Sequence, residues 1–353
     1  MKLLFLLPIF KNTGPANVVA ALLKQLLKRR ANDDINCALF LVSFYPAQDN
    51  YQAKFTRNQV TLIELDGFNI KSLYRLWCLI RKEKIDVVHS HCLLPDIANA
   101  FISLFTSAKT VSSVHCNIND NYKNEYRFPK GPLYYWLHRL SLLSIKQVVS
   151  VSSSAQLNHH TPIIYNGIGK RTLAPEPSSS LNLVFAGRLI TSKNISFLLQ
   201  SFDYLLAQTA AKNGAIKLHI FGDGELYSSI KALNHAHIIL HGFVDDYLAH
   251  LPDNSIVVNP SLFEGMPMAV VEALSSNVPV VLSNIEAHQE IAKHIQHGVK
   301  LYNNTEAGFT QAVKSLIDEN NKVCFDKTLM AEQFEKEFSD TVMVERYFKV
   351  YRS

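Results

Sequence analysis

Short runs of branched apolar residues alternate with stretches of helical period twice along this chain, and that doubled alternation restricts the fold more than any single motif. In the first series, strands are expected at residues 2–7, 37–44, 60–65, 86–91, 109–115, 148–151 and 162–165, with helices at 15–30, 70–84 and 95–105. Val18, Val19, Leu22, Leu23 and Leu26 show the helical spacing. A second series follows, with strands at 182–186, 216–221, 237–240, 255–259 and 278–282 and helices from about 194, after 224 and from 267. Several of the strand runs are apolar at nearly every position, which suits strands buried on both faces of a parallel sheet. Strands alternating with helices imply right-handed crossovers and ligand sites beyond the carboxyl ends of the strands.

The chain has 353 residues, 48% of them apolar and 18% charged, enough for two α/β domains. Between the two series, Ala174-Pro-Glu-Pro-Ser-Ser-Ser180 has the composition of a linker. The expectation is therefore two Rossmann-like domains facing a cleft, spanning 1–168 and 181–337. An amphipathic segment closes the chain at 338–353. The apolar start, Met1-Lys-Leu-Leu-Phe-Leu-Leu-Pro-Ile-Phe10, is short, contains Pro8 and lacks a small-residue cleavage site, so it reads as a strand rather than a signal peptide. No run reaches the roughly 20 apolar residues of a spanning helix. Five scattered cysteines without paired spacing argue against a disulfide framework or structural zinc and fit a reducing compartment. Residues 1–170 carry 20 Lys and Arg against 10 Asp and Glu, whereas 171–353 carry 15 against 20, so the two halves differ electrostatically.

The most informative stretch is Asn259-Pro-Ser-Leu-Phe-Glu-Gly-Met-Pro-Met-Ala-Val-Val-Glu-Ala-Leu274, followed by Val278-Pro-Val-Val-Leu282. It reads as strand, tight loop, helix, strand, with Pro267 expected at the first helical position. The amides at such a helix start form an anion site. Glu264 lies in the loop and Glu272 within the helix. The bare spacing of two acids carries little, since solvated surface glutamates produce it as readily.

In this context the stretch resembles the glutamate-x7-glutamate signature of retaining glycosyltransferases of the GT-B fold, family 4 (glycosyl transferases group 1). The resemblance implies that Glu264 accepts hydrogen bonds from donor-sugar hydroxyls and that Glu272 takes the ribose diol. The amides around Gly265, Met266, Met268 and Ala269 would meet the sugar or the phosphate. Gly187-Arg-Leu189, with Lys193 five residues after the arginine, matches the family's phosphate pair, so Arg188 and Lys193 would neutralise the departing nucleoside diphosphate. Gly222-Asp-Gly224 resembles the Gly-x-Gly turn beside the nucleotide, which places Gly222 there, although a tight strand-to-helix turn accounts for it equally well. His241-Gly-Phe243 matches the place where backbone groups meet the base. Asn277 stands where relatives have glycine before the Pro-Val-Val strand, and asparagine tolerates the left-handed conformation needed there.

In the first half, His91 and His115 end strands, and a Val-His strand end in the family supplies a side chain near the reacting sugar. His115 is thus the expected catalytic orienter and hydrogen-bond donor, His91 a weaker acceptor-side candidate, and His89 is expected on the opposite face of its strand. The Asn12-Thr-Gly-Pro-Ala16 loop has one glycine, Gly14, where the family has two near the phosphates, and Pro15 removes a donor. Gly169 replaces the family's Asp and receives no role. The resemblance also implies that the terminal helix crosses back to the N-terminal domain.

Residues 122–146 mix Lys123, Arg127, Lys130, Arg139 and Lys146 with six aromatic residues. With Lys24, Lys28, Arg29 and Arg30 they suggest a surface for anionic lipid headgroups, a solvated basic face being the alternative. No nucleic-acid recognition motif accompanies them. The reading is a cytoplasmic, peripheral transferase. It moves a hexose or N-acetylhexosamine from a UDP-sugar, with GDP second, to a glycan or lipid-linked saccharide in surface polysaccharide or lipopolysaccharide synthesis. The N-terminal domain would take the acceptor and the C-terminal domain the nucleotide sugar. No metal cofactor is expected, since Arg188, Lys193 and a helix start supply positive charge and no Asp-x-Asp motif occurs. The alternatives are a sugar-nucleotide epimerase on the same fold and a non-catalytic scaffold that binds nucleotide sugar.

Overall fold

The first strand, β1 (Lys2–Ile9), is buried from Leu3 to Leu7 and has parallel neighbours on both sides. Pro8, which has no N–H to give, is skipped in the pairing, and the ladder to the strand on the far side has already ended at Leu6. The computed structural model describes residues 1–48, 59–126, 128–209 and 216–353, and the side chains at 120, 121, 124 and 125 fall outside the description. The chain divides into two units, Met1–Gly167 with Asp340–Ser353, and Ile168–Ser339.

In unit 1, β1 leads to α1 (Gly14–Ala31), β2 (Ala38–Tyr45), β3 (Thr61–Glu64), α2 (Ile70–Glu83), β4 (Val87–His91), α3 (Leu93–Ser103) and β5 (Lys109–Val114). Then come α4 (Ile118–Glu125), α5 (Lys130–Leu143) and β6 (Gln147–Ser150). The six strands are parallel in the order β3-β2-β1-β4-β5-β6. The expected strand at 162–165 is reduced to one bridge, Ile163 to Ser150. Pro162 opens this segment and cannot donate to a ladder.

Unit 2 contains β7 (Leu181–Ala186), α6 (Ile195–Thr209), β8 (Ile216–Phe221), α7 (Tyr227–Ala232), β9 (Ile238–Gly242) and β10 (Ser255–Asn259). It continues with α8 (Met268–Ser275), β11 (Val280–Ser283), α9 (Glu286–His294), β12 (Val299–Tyr302), α10 (Glu306–Lys314) and α11 (Lys327–Phe338). Its six parallel strands run β12-β11-β10-β7-β8-β9. Counted from the first strand of each unit, the two sheets share one order, 3-2-1-4-5-6, the doubly wound arrangement. Residues 168–180 belong to unit 2: Ile168 N–H donates to Phe338 O at 3.0 Å, Arg171 N–H to Ser275 O at 3.1 Å, and Glu176 bridges to Pro252. The proline-rich stretch is laid against this unit through a carbonyl, Glu176 O accepting from Asp253 N–H at 2.8 Å.

The last helix, α12 (Asp340–Arg352), returns to unit 1. It packs on α1, where Gln25 donates to Thr341 Oγ1 at 2.8 Å and Arg29 pairs with Glu345 at 2.8 Å. Its Met343, Val344, Tyr347 and Tyr351 are buried. No helix among the described residues is long and apolar enough to cross a membrane.

In both sheets the strand order reverses between the first and fourth strands, at β1/β4 and β7/β10. Neighbouring loops leave in opposite directions there and open a crevice at the carboxyl ends.

Candidate active site

Beyond the carboxyl ends of β7 and β8, beside the β7/β10 switch point, two glycine turns cross. Gly187 N–H donates to Phe221 O at 3.0 Å, Leu189 N–H to Asp223 O at 2.8 Å, and Gly222 N–H to Gly242 O at 2.7 Å. A Cβ on Gly222 would lie 1.9 Å from Gly187 O, and one on Gly224 2.5 Å from Leu189 O, so both glycines are required by this crossing. The Gly222 amide is spent on Gly242 and is not a donor for a ligand. The crossing fixes the turn that presents Arg188, which is exposed.

Five residues on, Lys193 closes a single helical turn over Thr191–Lys193, with Asn194 in the left-handed region at φ 54°. Its ammonium donates to Glu264 Oε1 at 2.5 Å. Ser261 Oγ donates to the same oxygen at 2.7 Å and Asn259 Nδ2 at 3.4 Å, while Asn259 Oδ1 accepts from Ser261 N–H at 3.0 Å. The two side chains keep only 19% and 11% exposure. Burial alone would raise the Glu264 pKa, but the Lys193 charge and the bonds from Lys193 and Ser261 outweigh it, and the carboxyl is held below its usual range. The loops after the first and fourth strands of this sheet thereby meet in one buried ion pair.

Gly265 and Met266 follow in the loop, the Met266 side chain buried. Pro267 is not the first helical residue but the cap: its carbonyl accepts from Val270 N–H at 3.0 Å and Val271 N–H at 3.1 Å. Its ψ of 92° keeps it outside the helical region, so the helix begins at Met268. The amides of Met268 and Ala269 therefore lie ahead of the first intrahelical donor. Tyr247 Oη donates to Ala269 O at 2.6 Å and ties this turn down. Glu272 sits one turn in and acts electrostatically on Arg171 and Tyr247. Arg171 forms a two-pronged pair with Asp246 at 2.9 and 2.6 Å. Asn277 ends the helix at φ 57°, the left-handed conformation expected of it.

No motif in the sequence marks Asn259, Ser261, Ser283 or His288. Ser283 at the end of β11 donates to Ser261 O at 2.6 Å, and His288 Nδ1 donates to Ser283 O at 2.8 Å. That bond puts the imidazole proton on Nδ1 and leaves Nε2, buried, as a lone-pair acceptor with no partner among the described residues. Burial lowers the His288 pKa to about 4. Asn259 and Ser283, polar residues that end two buried strands, are the available signal. Asn259 and Ser261 lie five and three residues before Glu264 in the chain.

In unit 1, Gly14 opens α1 after Thr13, with Pro15 next and Asn17 N–H donating to Thr13 O at 2.9 Å. His91 Nδ1 and His115 Nε2 share a hydrogen bond of 2.8 Å. His89 lies on the same face as His91, not the opposite one, with ring centroids 4.3 Å apart, because residues two apart in a strand share a face. His89 bonds Tyr351 Oη and Ser113 Oγ, each at 2.8 Å, and Ser113 Oγ bonds Tyr347 Oη at 2.6 Å. This network seats α12 against the strands. Burial lowers His89 to about 3 and His115 to about 4, and takes His91 well below its ordinary value.

Histidines that stay neutral in the fold contribute no pH dependence above the unfolded value of about 6.5 and lose stability as pH falls below it, because the unfolded chain takes up the protons. With His89, His91 and His115 all held neutral in unit 1, that unit is expected to lose stability progressively as the pH falls below about 6. Circular dichroism during acid titration should show unfolding well above pH 4. Intact structure down to the carboxylate range would contradict the neutral assignment.

Of the basic residues grouped in the sequence, Arg29 pairs with Glu345, and Arg30 donates to Cys37 O at 3.3 Å and Gln59 O at 3.2 Å. Arg127 lies outside the described residues.

The geometry gives one unit a basic turn, a buried Lys–Glu pair and a carboxylate-bearing helix start at a single switch point. The family model for Glycosyl transferases group 1 matches residues 180–319, which hold all of these, and that for Glycosyltransferase Family 4 matches residues 13–168. The chain is a group 1 glycosyltransferase. It is 25% identical over 279 residues, 71% of each chain, to the Escherichia coli UDP-Gal:alpha-D-GlcNAc-diphosphoundecaprenol alpha-1,3-galactosyltransferase. It is also 25% identical over 288 residues to the Staphylococcus aureus capsular polysaccharide biosynthesis glycosyltransferase CapH, covering 76% of this chain and 79% of that one. The solved structure of Anabaena HepE in complex with UDP-glucose aligns over 99% of both chains at 15% identity with a TM-score of 0.72. The fold of this glycosyltransferase is thus that of the GT-B enzymes.

Proposed function

We propose that this glycosyltransferase moves a hexose or N-acetylhexosamine from a nucleotide sugar, UDP-linked first and GDP-linked second, to a hydroxyl of a lipid-linked saccharide or glycan. Configuration at the anomeric carbon is retained, and the product enters cell-surface polysaccharide or lipopolysaccharide synthesis. The observation that carries the reading is the buried Lys193–Glu264 pair at the β7/β10 switch point, set beside the start of α8. An ammonium has three donors, so Lys193 can hold Glu264 and a phosphate oxygen together. With Arg188 and the positive end of α8 it would stabilise the negative charge that grows on the diphosphate as the glycosidic bond breaks. Glu264, kept ionised, accepts hydrogen bonds from sugar hydroxyls, and Glu272 accepts two from the ribose diol. Gly14 and His115 are assigned to unit 1 as a phosphate-side turn and a neutral hydrogen-bonding side chain. No resident metal is invoked, because the cations named here carry that charge.

Two relatives' names support the pathway: one acts on a diphosphoundecaprenol-linked sugar and the other makes capsular polysaccharide. A lipid-linked acceptor also places the enzyme peripherally on the inner face of the cytoplasmic membrane. The test is incubation with UDP-galactose or UDP-N-acetylglucosamine and a short-chain diphosphate-linked N-acetylglucosamine in excess chelator, with NMR of the product. A new linkage of the donor's own anomeric configuration is expected. An inverted product would overturn the retaining reading, and conversion of the donor sugar without acceptor would mark an epimerase instead.

A further inference from the structure

The helix α5 is amphipathic the wrong way round for a helix that packs only on its own protein. Leu133, Trp136, Leu137, Leu140 and Leu143 recur at helical spacing along one side, with exposures from 40% at Leu137 to 79% at Leu143. The side packed on the unit carries Gly131, His138 and Ser141 along with Leu142. This rotation is locked. His138 Nε2 lies 2.8 Å from Asp96 Oδ2, and its Nδ1 2.9 Å from Tyr122 Oη. Any side chain at Gly131 would meet Tyr122 O at 2.7 Å. Turning the leucines inward would leave Asp96, itself fully buried, without its imidazole partner, at a cost of several kcal/mol. α3, which packs against α5, ends in three more exposed apolar residues, Phe101, Leu104 and Phe105. A patch of this kind marks an interaction surface.

The charge around it selects the partner. Residues 97–167, which span α3 to α5 and beyond, contain six Lys and Arg (Lys109, Lys123, Arg127, Lys130, Arg139 and Lys146) against two acids, Asp120 and Glu125. An apolar stripe with a tryptophan in the middle, on a helix that carries Lys130 and Arg139 and no acid, in a segment with a surplus of cations, matches the boundary of a bilayer with anionic headgroups. A protein partner or a second copy of the chain would meet the leucines equally well but would not account for the surplus of cations over acids in this segment.

We infer that the outer face of α5 docks the enzyme on an anionic lipid bilayer by inserting Leu133, Trp136, Leu137 and Leu140 among the headgroups. This rests on the proposed lipid-linked acceptor, and names the surface that brings the enzyme to it. The test floats the full chain with vesicles of phosphatidylglycerol and, separately, of phosphatidylcholine. The wild type should float with the anionic vesicles only, and in a Trp77→Phe background the emission of Trp136, then the sole tryptophan, should shift to the blue. Leu133→Gln/Leu137→Gln/Leu140→Gln should abolish flotation. Lys130→Gln/Arg139→Gln/Lys146→Gln should weaken it on the order of a hundredfold, at about 1 kcal/mol per cation. All variants should keep the wild-type thermal protection by UDP, so a failed membrane arm beside intact UDP protection sinks this inference alone. Lost UDP protection with intact flotation sinks the functional reading alone. Wild-type protein that stays off anionic vesicles, or a leucine variant that changes from dimer to monomer in the ultracentrifuge without any vesicle effect, would overturn the bilayer assignment.

Discussion

Lys193→Met is expected to cost about 3 kcal/mol of stability and on the order of a hundredfold or more in transfer rate. The stability term arises because Glu264, at 11% exposure, would keep a charge whose main partner is gone. Burial, which already pushes this carboxyl upward, would then win, and Glu264 would take up a proton more easily or lose its fixed place. For a unit of this size the loss should appear as a fall in Tm of roughly 6–12 °C. Lys193→Met/Glu264→Gln should recover most of the Tm, since a neutral amide no longer needs the ammonium. It should not recover transfer, because the diphosphate still lacks its cation. Calorimetric scans of the two single variants and the double variant, with initial rates on the same preparations, separate the effects. Additive Tm losses would show that the pair is not coupled, and a double variant with restored turnover would remove Lys193 from the chemistry.

Gly222→Ala should be more damaging to the fold than any surface change in unit 2. Its new Cβ would lie 1.9 Å from the Gly187 carbonyl, a backbone atom that cannot swing aside as a side-chain tip can. Relief requires the 187–189 and 222–224 turns to separate, which breaks the Gly187-to-Phe221 and Leu189-to-Asp223 bonds and moves Arg188 with them. A cost above about 4 kcal/mol belongs to this class of backbone collision. Chemical denaturation should show a large drop in the midpoint for unit 2 and little change for unit 1. A variant of native stability would mean that the crossing is looser than the bond lengths indicate.

The fold was largely legible because runs such as Leu3–Leu7 and Ile256–Val258 are buried on both faces, and continuous apolar runs between helical segments have few other uses. What the pattern could not show was the start of α8. Pro267 fits a first helical position by composition, and only its ψ of 92° makes it the cap. The Pro/Ser stretch before β7 suggested a linker, whereas the Glu176 carbonyl ties it to unit 2 through a bond from Asp253, far away in sequence. Helix α5 was seen as a mixture of bases and aromatics, because its outward rotation is set by Asp96 and His138, 42 residues apart.

The candidate site was legible as individual residues but not as contacts. Arg188, Lys193, Glu264 and Glu272 stood out by spacing and family resemblance, with Lys193 assigned to phosphate and Glu264 to sugar. The structure adds a bond from Lys193 to Glu264, so each proposed role depends on the other. Ser261, Ser283 and His288 escaped notice because their importance lies in hydrogen bonds between neighbouring strand ends, where one polar residue looks like any other.

The central claim is that unit 2 grips a nucleoside diphosphate sugar through this cluster, with Glu272 on the ribose. Thermal unfolding of the full chain with and without UDP tests it most directly. At a hundred times its dissociation constant UDP should stabilise the wild type by about 2.7 kcal/mol. Glu272→Ala should lose most of that gain at the same concentration while keeping the wild-type Tm without ligand. Equal protection of Glu272→Ala and wild type, or no protection of either by UDP or GDP, would contradict the account.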